Sequence, residues 1–534
     1  VQGSAGVTPD VAVLAGTMDV AADSKLEASN ARTITINSLT SGTGSLTLSG
    51  GGGGTVSLAN VANSFTGAIF LTESTTLNVI SLANGGAVSA LGAATSDAGN
   101  LIFNSGILRI TPGAASSTDR LFTLAGNGTL QSSSTTAGSS VAFTNTDAIA
   151  FVGAGARTLT LGGANTGANT FAPKIIDNPD GGVTSLTKAD AGTWEVTNLN
   201  TYTGATNVNG GALVFSSLDN LGAGTAINLG GGTLRWGSGS TVDVTTRTVT
   251  LTGGTSGFDT NGQSVTLANP IAGAGALRKY GGGVLTLSAV NTFTGNVSVE
   301  NSNGAIRITN SGALGVGPKT IRVVGNQGGA QAPSLRLDGS QGSIVLPGSM
   351  SFTTSNDGLN GTPHPPAIIN EAGNNVINGN FTVTSGGGST KLLVDGGSLT
   401  VNGNFTPDTT NRILILTGVG NGSINGVIQN QNATNTLSVT KEGAGTWVLN
   451  GANTNTGPTI VSGGTLITNT RATGNGAVTV ANNATFGVKA AAPGQVFTTS
   501  SLSLGATGAG LLFDLGVNGN PTSALASATA LTLN

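Results

Sequence analysis

The chain has no cysteine among its 534 residues, which excludes disulfides, a thiolate nucleophile and any cysteine-ligated metal site. Charge is scarce too: Asp, Glu, Lys and Arg together make 8% of the sequence, against about 25% in an ordinary soluble protein. With a formal net charge of -3 there is no basic face to neutralise a run of phosphates, so nucleic acid is not expected as a partner. The single histidine is too few for a multi-histidine metal site. No apolar run reaches the roughly 18 residues that a membrane-spanning helix needs. The sequence opens at Val1 without a charged-then-apolar leader and reads as a processed or excised piece.

What is present is glycine, 87 residues of it, and a hydrophobic fraction of 37%. The aliphatic residues recur with a period of two, which argues against whole-chain disorder. Ile34-Thr35-Ile36, Leu46-Thr47-Leu48, Leu159-Thr160-Leu161, Val249-Thr250-Leu251, Leu285-Thr286-Leu287, Leu399-Thr400-Val401 and Val478-Thr479-Val480 are examples. Such alternation puts the aliphatics on one face of a strand and the hydroxyls on the other. Asn209-Gly210-Gly211, Gly230-Gly231-Gly232 and Asn402-Gly403-Asn404 supply corners between them. Strands this short are unstable as isolated hairpins. Stacked in coils, each pairs above and below at about 4.8 Å and the aliphatics fill one core. In a parallel, in-register stack like residues lie above one another, so uncharged Thr, Ser and Asn are favoured outside over repeated charge.

A longer cassette recurs. One copy runs from Leu186-Thr187-Lys188 through Gly192-Thr193-Trp194 and Asn200-Thr201-Tyr202-Thr203-Gly204 to Gly210-Gly211-Ala212-Leu213. A second joins Lys279 and Gly281-Gly282-Gly283 to Asn291-Thr292-Phe293-Thr294-Gly295 and Asn303-Gly304-Ala305-Ile306. A third joins Lys441 and Gly443-Ala444-Gly445-Thr446-Trp447 to Asn453-Thr454-Asn455-Thr456-Gly457 and Gly463-Gly464-Thr465-Leu466. A weaker one keeps Asn63-Ser64-Phe65-Thr66-Gly67 before Ser74-Thr75-Thr76-Leu77. This pattern resembles the autotransporter-associated β-strand repeat of bacterial passenger-type surface proteins. The resemblance implies a right-handed parallel β-helix, export to the cell surface, and adhesive or structural use. It carries over no catalytic residue. It assigns Asn63, Thr66, Gly67, Asn200, Thr203, Gly204, Asn291, Thr294, Gly295, Asn453, Thr456 and Gly457 to structural turns, and Trp194 and Trp447 to covering the core. Autotransporters end in a membrane β-barrel. The chain stops at Asn534 without one, so either the barrel was removed or the chain is a free fibre subunit.

Candidate sites read mostly as structure. His364, within Thr362-Pro363-His364-Pro365-Pro366, sits in a stiff external loop. Asp177 with Asp180, the set Asp10, Asp19, Asp23 and Glu27, and Asn145-Thr146-Asp147 are the nearest approaches to the clustered carboxylates a polysaccharide-cleaving β-helix needs. They read as solvated turn residues. Gly50 to Gly54 lacks the Lys-Ser/Thr of a phosphate loop and reads as a corner. Lys188, Lys279 and Lys441 share one cassette position and read as solvated charges that discourage edge pairing. Sequons such as Asn127-Gly128-Thr129 are plentiful, as chance allows in a chain this rich in Asn and Thr.

The expected architecture is all-β: an elongated right-handed parallel β-helix, or β-solenoid. Residues 1–32 are expected to form a cap or assembly arm, and residues 33–534 one continuous β-helix with irregular insertions, including a loop around 356–370. A string of β-sandwiches is the alternative fold. The expected function is a non-enzymatic extracellular structural or adhesive protein of the bacterial surface. No catalytic, cofactor-binding or metal site is expected. Head-to-tail self-association is the expected partnership, with a host-surface or matrix glycan or protein as a further candidate. The alternative is a carbohydrate-binding or carbohydrate-active β-helix.

Overall fold

The computed structural model describes residues 11–300, 303–325, 332–356, 364–385, 388–517 and 523–534. Nearly every strand is short and pairs in parallel with the strands one coil before and after it, as the two-residue period predicts. No α-helix occurs among the described residues, and three short 3-10 turns complete the regular structure. The fold is a parallel β-solenoid, and no antiparallel module of a sandwich is present among the described residues. The chain forms two compact units, Val1–Gly257 and Phe258–Asn534.

In the first unit one sheet stacks Val11–Leu14, Thr33–Ile36, Thr55–Leu58, Thr76–Val79, Gly106–Ile110 and onward through Arg157–Gly162 and Thr184–Lys188 to Thr248–Leu251 in sequence order. A second wall runs from Ser24–Glu27 to Ala150–Phe151, and a third from Ser116–Thr118 to Thr233–Trp236. The segment expected to be a cap or arm thus supplies, from Val11 on, strands that pair with Thr33–Ile36, Leu39–Gly42 and Leu46–Ser49. Val1 to Asp10 lie outside the described residues. Register is set by the core. Ile34, Val56, Leu77, Leu108, Leu130 and Leu161 pair in turn, and a one-residue slip would turn the whole column outward. The side chains of these residues are at most 2% exposed, so each contributes roughly 1.5–3 kcal/mol on burial. On the outer face Thr129, Thr160, Thr187, Asn207, Asn228 and Thr250 form the expected uncharged column.

The second unit repeats the plan. One sheet runs from Ser264–Leu267 to Leu531–Leu533, a second from Ala276–Tyr280 to Phe405–Pro407, and a third from Val345–Leu346 to Gly510–Asp514. Of the loop expected around 356–370, residues 357–363 lie outside the described residues. Asn356 is fully buried and Ile368–Ala372 is a strand. Outer-face charge is not everywhere avoided. Arg307 and Arg336 are paired neighbours. Asp338 and Glu371 make this tolerable: Asp338 lies 2.6 Å from Arg307, and Glu371 lies 2.7 Å from Arg307 and 3.3 Å from Arg336.

Candidate functional site

The cassette is the recurring feature with the densest polar chemistry, and the structure places its parts inside the coil. The five-residue motif is not a tight corner but an extended segment with alternate residues turned inward. Asn63, Phe65, Asn200, Tyr202, Asn291 and Phe293 are at most 4% exposed, while Thr66, Thr203 and Thr294 face outward. The buried asparagines staple three coils together. Asn200 Oδ1 accepts the Ile175 N–H at 2.8 Å from the coil below, and Nδ2 donates to the Asn220 carbonyl at 2.7 Å in the coil above. Asn291 repeats this with Ile271 and Ala313, and Asn63 with Thr40 and Ala90. Asn453 accepts from Ile428, but its Nδ2 has no partner.

Gly67, Gly204, Gly295 and Gly457 end the motif because the coil below is too near for a side chain. A Cβ there would lie 1.9 to 2.6 Å from the carbonyl oxygens of Gly44, Thr184, Gly275 and Leu437 respectively. The outward Thr203 is tied down by Asp177, whose carboxylate accepts from Thr203 N, Thr203 Oγ1 and Thr184 N. Burial alone would raise the Asp177 pKa, yet these bonds hold it below the usual carboxylate range. Asn430 ties down Thr456 in turn, its Oδ1 accepting the Thr456 N–H and its Nδ2 donating to Thr456 Oγ1.

Lys188, Lys279 and Lys441 overturn the expectation of solvated charges. All three side chains are fully buried. Lys188 occupies the aliphatic column between Leu161 and Val208, and Lys441 lies between Leu416 and Val461. Each stem therefore packs as a hydrophobe. Each ammonium then turns into a ring of backbone carbonyls at the following glycine corner. Lys188 Nζ donates to Ala189, Asp190 and Gly210; Lys279 Nζ donates to Tyr280, Gly281 and Gly282 at 2.5 to 3.1 Å; Lys441 Nζ donates to Glu442, Gly443 and Gly463 at 2.6 to 3.0 Å. Three donors meet three acceptors, which is what makes a buried ammonium tolerable. Burial pushes each lysine down to about 8, against the opposing pull of Asp190, Asp259 and Glu442.

Trp194 and Trp447 lie wholly in the core. Their Nε1 atoms donate to the Gly162 carbonyl at 2.8 Å and the Thr417 carbonyl at 3.4 Å.

A second cation site was not anticipated. One coil above each motif, Gly92, Gly222 or Gly315 closes over the ring of Phe65, Tyr202 or Phe293, where a Cβ would lie 2.7 to 3.1 Å from ring carbons. The carbonyls of these turns are gathered by a further cation, buried for Arg120 and Lys319 and half-buried for Arg247. Arg120 donates to Gly92, and Arg247 donates to Leu218, Leu221 and Gly222. Lys319 donates to Leu314 and Phe293, with its Nζ 4.4 Å above the Phe293 ring. The sequence held a sign of this in Leu91-Gly92, Leu221-Gly222 and Leu314-Gly315, each following the motif at a different distance.

The acidic candidates do not converge. Among the described residues no group of three or more His, Cys, Asp or Glu is placed to hold a metal. Asp19 and Asp23 are exposed, with Asp23 accepting the Ser45 N–H, and Glu27 pairs with Lys25. Asp10 lies outside the described residues. Asn145 Oδ1 accepts the Asp147 N–H in a local turn, and His364 is half-buried beside Pro365.

Comparison with known proteins matches these same segments. The passenger-associated-transport-repeat occurs at residues 51–78, 186–215, 277–306 and 439–467. Over 139 residues, 26% of the chain, the sequence is 48% identical to the adhesin BmaC autotransporter of Brucella suis biovar 1 (strain 1330). Over 341 residues, 58% of the chain, it is 27% identical to outer membrane protein A of Rickettsia rickettsii. The matched regions span 4% and 14% of those two relatives. No solved structure matches the chain.

Proposed function

From a chain that carries four passenger-associated-transport repeats, we propose a non-enzymatic protein of the bacterial surface that serves adhesion and structure. The observation that carries this reading is the use made of the repeats. The lysines that three of them share, Lys188, Lys279 and Lys441, are consumed in holding backbone carbonyls. The repeats therefore supply a scaffold. The outer columns of Thr and Asn present a nearly uncharged surface that suits contact with glycans or proteins of a host matrix. The name of the Brucella relative supports adhesion, and the name of the Rickettsia relative supports a surface location. Beads coated with the purified chain are expected to adhere to host cells or immobilised matrix above an uncoated control. Failure to adhere, together with turnover of a polysaccharide panel, would transfer the chain to the carbohydrate-active class.

Self-association is the finer part of the proposal. Each coil pairs with the next through parallel strand edges, and another copy stacking in the same way would extend that pairing. Sedimentation is expected to show assembly that grows with concentration, and a monomer at every concentration would remove this part.

A further inference from the structure

We infer that an ordered water molecule occupies the core of the fourth cassette, in the place that an aromatic ring fills in the other three. Phe65, Tyr202 and Phe293 are each fully buried, whereas the fourth copy has Asn455 at that position, and its Nδ2 bends back to the Leu437 carbonyl at 2.9 Å. Without the ring a cavity of about 40 Å³ remains, lined by Val439, Leu449, Asn453, Asn455, Gly474 and Phe486. A space above roughly 10–15 Å³ admits a water only where polar partners wait for it.

Such a partner is present. Asn453 is 4% exposed, and its Nδ2 is buried with no acceptor. The orientation of the amide is fixed, because Oδ1 accepts the Ile428 N–H at 2.8 Å. In the other copies Nδ2 donates to the carbonyl of Ala90, Asn220 or Ala313, two residues before the ring-covering glycine. The positional counterpart is the Ala472 carbonyl, two residues before Gly474. A water accepting from Asn453 Nδ2 and donating to the Ala472 carbonyl would restore the staple and remove the cost of an orphaned donor.

The test is a high-resolution crystal structure of the full chain beside its Asn455→Phe variant. One ordered water within hydrogen-bonding distance of Asn453 Nδ2 is expected in the parent. In the variant the ring is expected to replace it, and the melting temperature to rise. A dry cavity in the parent, or a direct bond from Asn453 to Ala472, would overturn the inference. The parent density decides the matter even if the variant does not fold.

Discussion

A lysine flanked by Leu161 and Val208 in a buried column shows how this chain uses its few charges. Glycine corners turn carbonyls inward, and without water those oxygens need donors. An ammonium supplies three from one residue, and its four-carbon stem fills the core on the way. Lys188→Met keeps the stem but orphans the carbonyls, and is expected to destabilise the surrounding coils by on the order of 2–4 kcal/mol. Hydrogen exchange at Ala189–Gly192 and Gly210–Ala212 checks this, with faster exchange predicted. The charge of Lys188 and its apparent place at a strand start suggest a solvated site, whereas the parity of the strand gives the opposite answer. Counting from Leu186 puts Lys188 on the inner face, so the signal was present in the two-residue period itself. Arg120, Arg247 and Lys319 were not legible, because they reach their carbonyls from a later strand or turn at unequal sequence distances.

The lysines also fix a pH dependence. Burial holds Lys188, Lys279 and Lys441 at about 8, against 10.5 for the free side chain. The folded chain therefore releases these protons before the unfolded chain does as pH rises, and stability must increase across that window. The cost of enclosing the charge is fully present below pH 8 and is progressively relieved between 8 and 10.5. Denaturation midpoints are expected to climb over this range in the parent relative to a variant with all three lysines replaced by Met. A difference between the two that stays flat from pH 8 to 10.5 would contradict it.

At the scale of the element, ladders do what the expected outer columns only sketched. Asn378, Asn402, Asn425 and Asn450 sit at one corner of four successive coils, and the Nδ2 of each of the last three donates to the Oδ1 of the asparagine below it at 2.7 to 2.8 Å. Every one precedes a glycine, and a Cβ on Gly403, Gly426 or Gly451 would lie about 2 Å from the carbonyl oxygen of the glycine one coil below. Asn425→Asp sets a carboxylate oxygen against Asn402 Oδ1 and should cost about 1 kcal/mol, read as faster exchange at Gly426 and Gly451. Inside, Phe352, Phe381 and Phe405 stack at 4.7 and 4.6 Å with planes 14° apart. Trp447 lies against Gly422, where a Cβ would fall 2.4 Å from the ring. Gly422→Ala is expected to cost about 1–3 kcal/mol by overpacking, with a shift in tryptophan fluorescence as the check. The strands themselves were legible because alternation is local. Which glycine covers which ring was not, since that pairing joins different coils across insertions of different length.

For the molecule as a whole, each coil is bonded to the coils next to it, so stability is close to a sum of neighbouring terms. A lesion at Lys188 should loosen strands from Arg157–Gly162 to Ala226–Leu229 and leave exchange around Lys441 unchanged. The class of fold followed from composition and period together: little charge, abundant glycine, short alternating strands. The division at Gly257 and Phe258 was not legible, because strand pattern and composition run through it without a break.

The parallel, in-register stack underlies every later step, and the absence of cysteine makes it directly measurable. Nitroxide labels introduced by Thr158→Cys with Ser185→Cys, and by Thr160→Cys with Thr187→Cys, probe two register pairs of the same two strands. Parallel pairing at about 4.8 Å predicts strong dipolar broadening in both, stronger than in the crossed combinations 158 with 187 and 160 with 185. Stronger broadening in the crossed combinations, or none in any, would contradict the account.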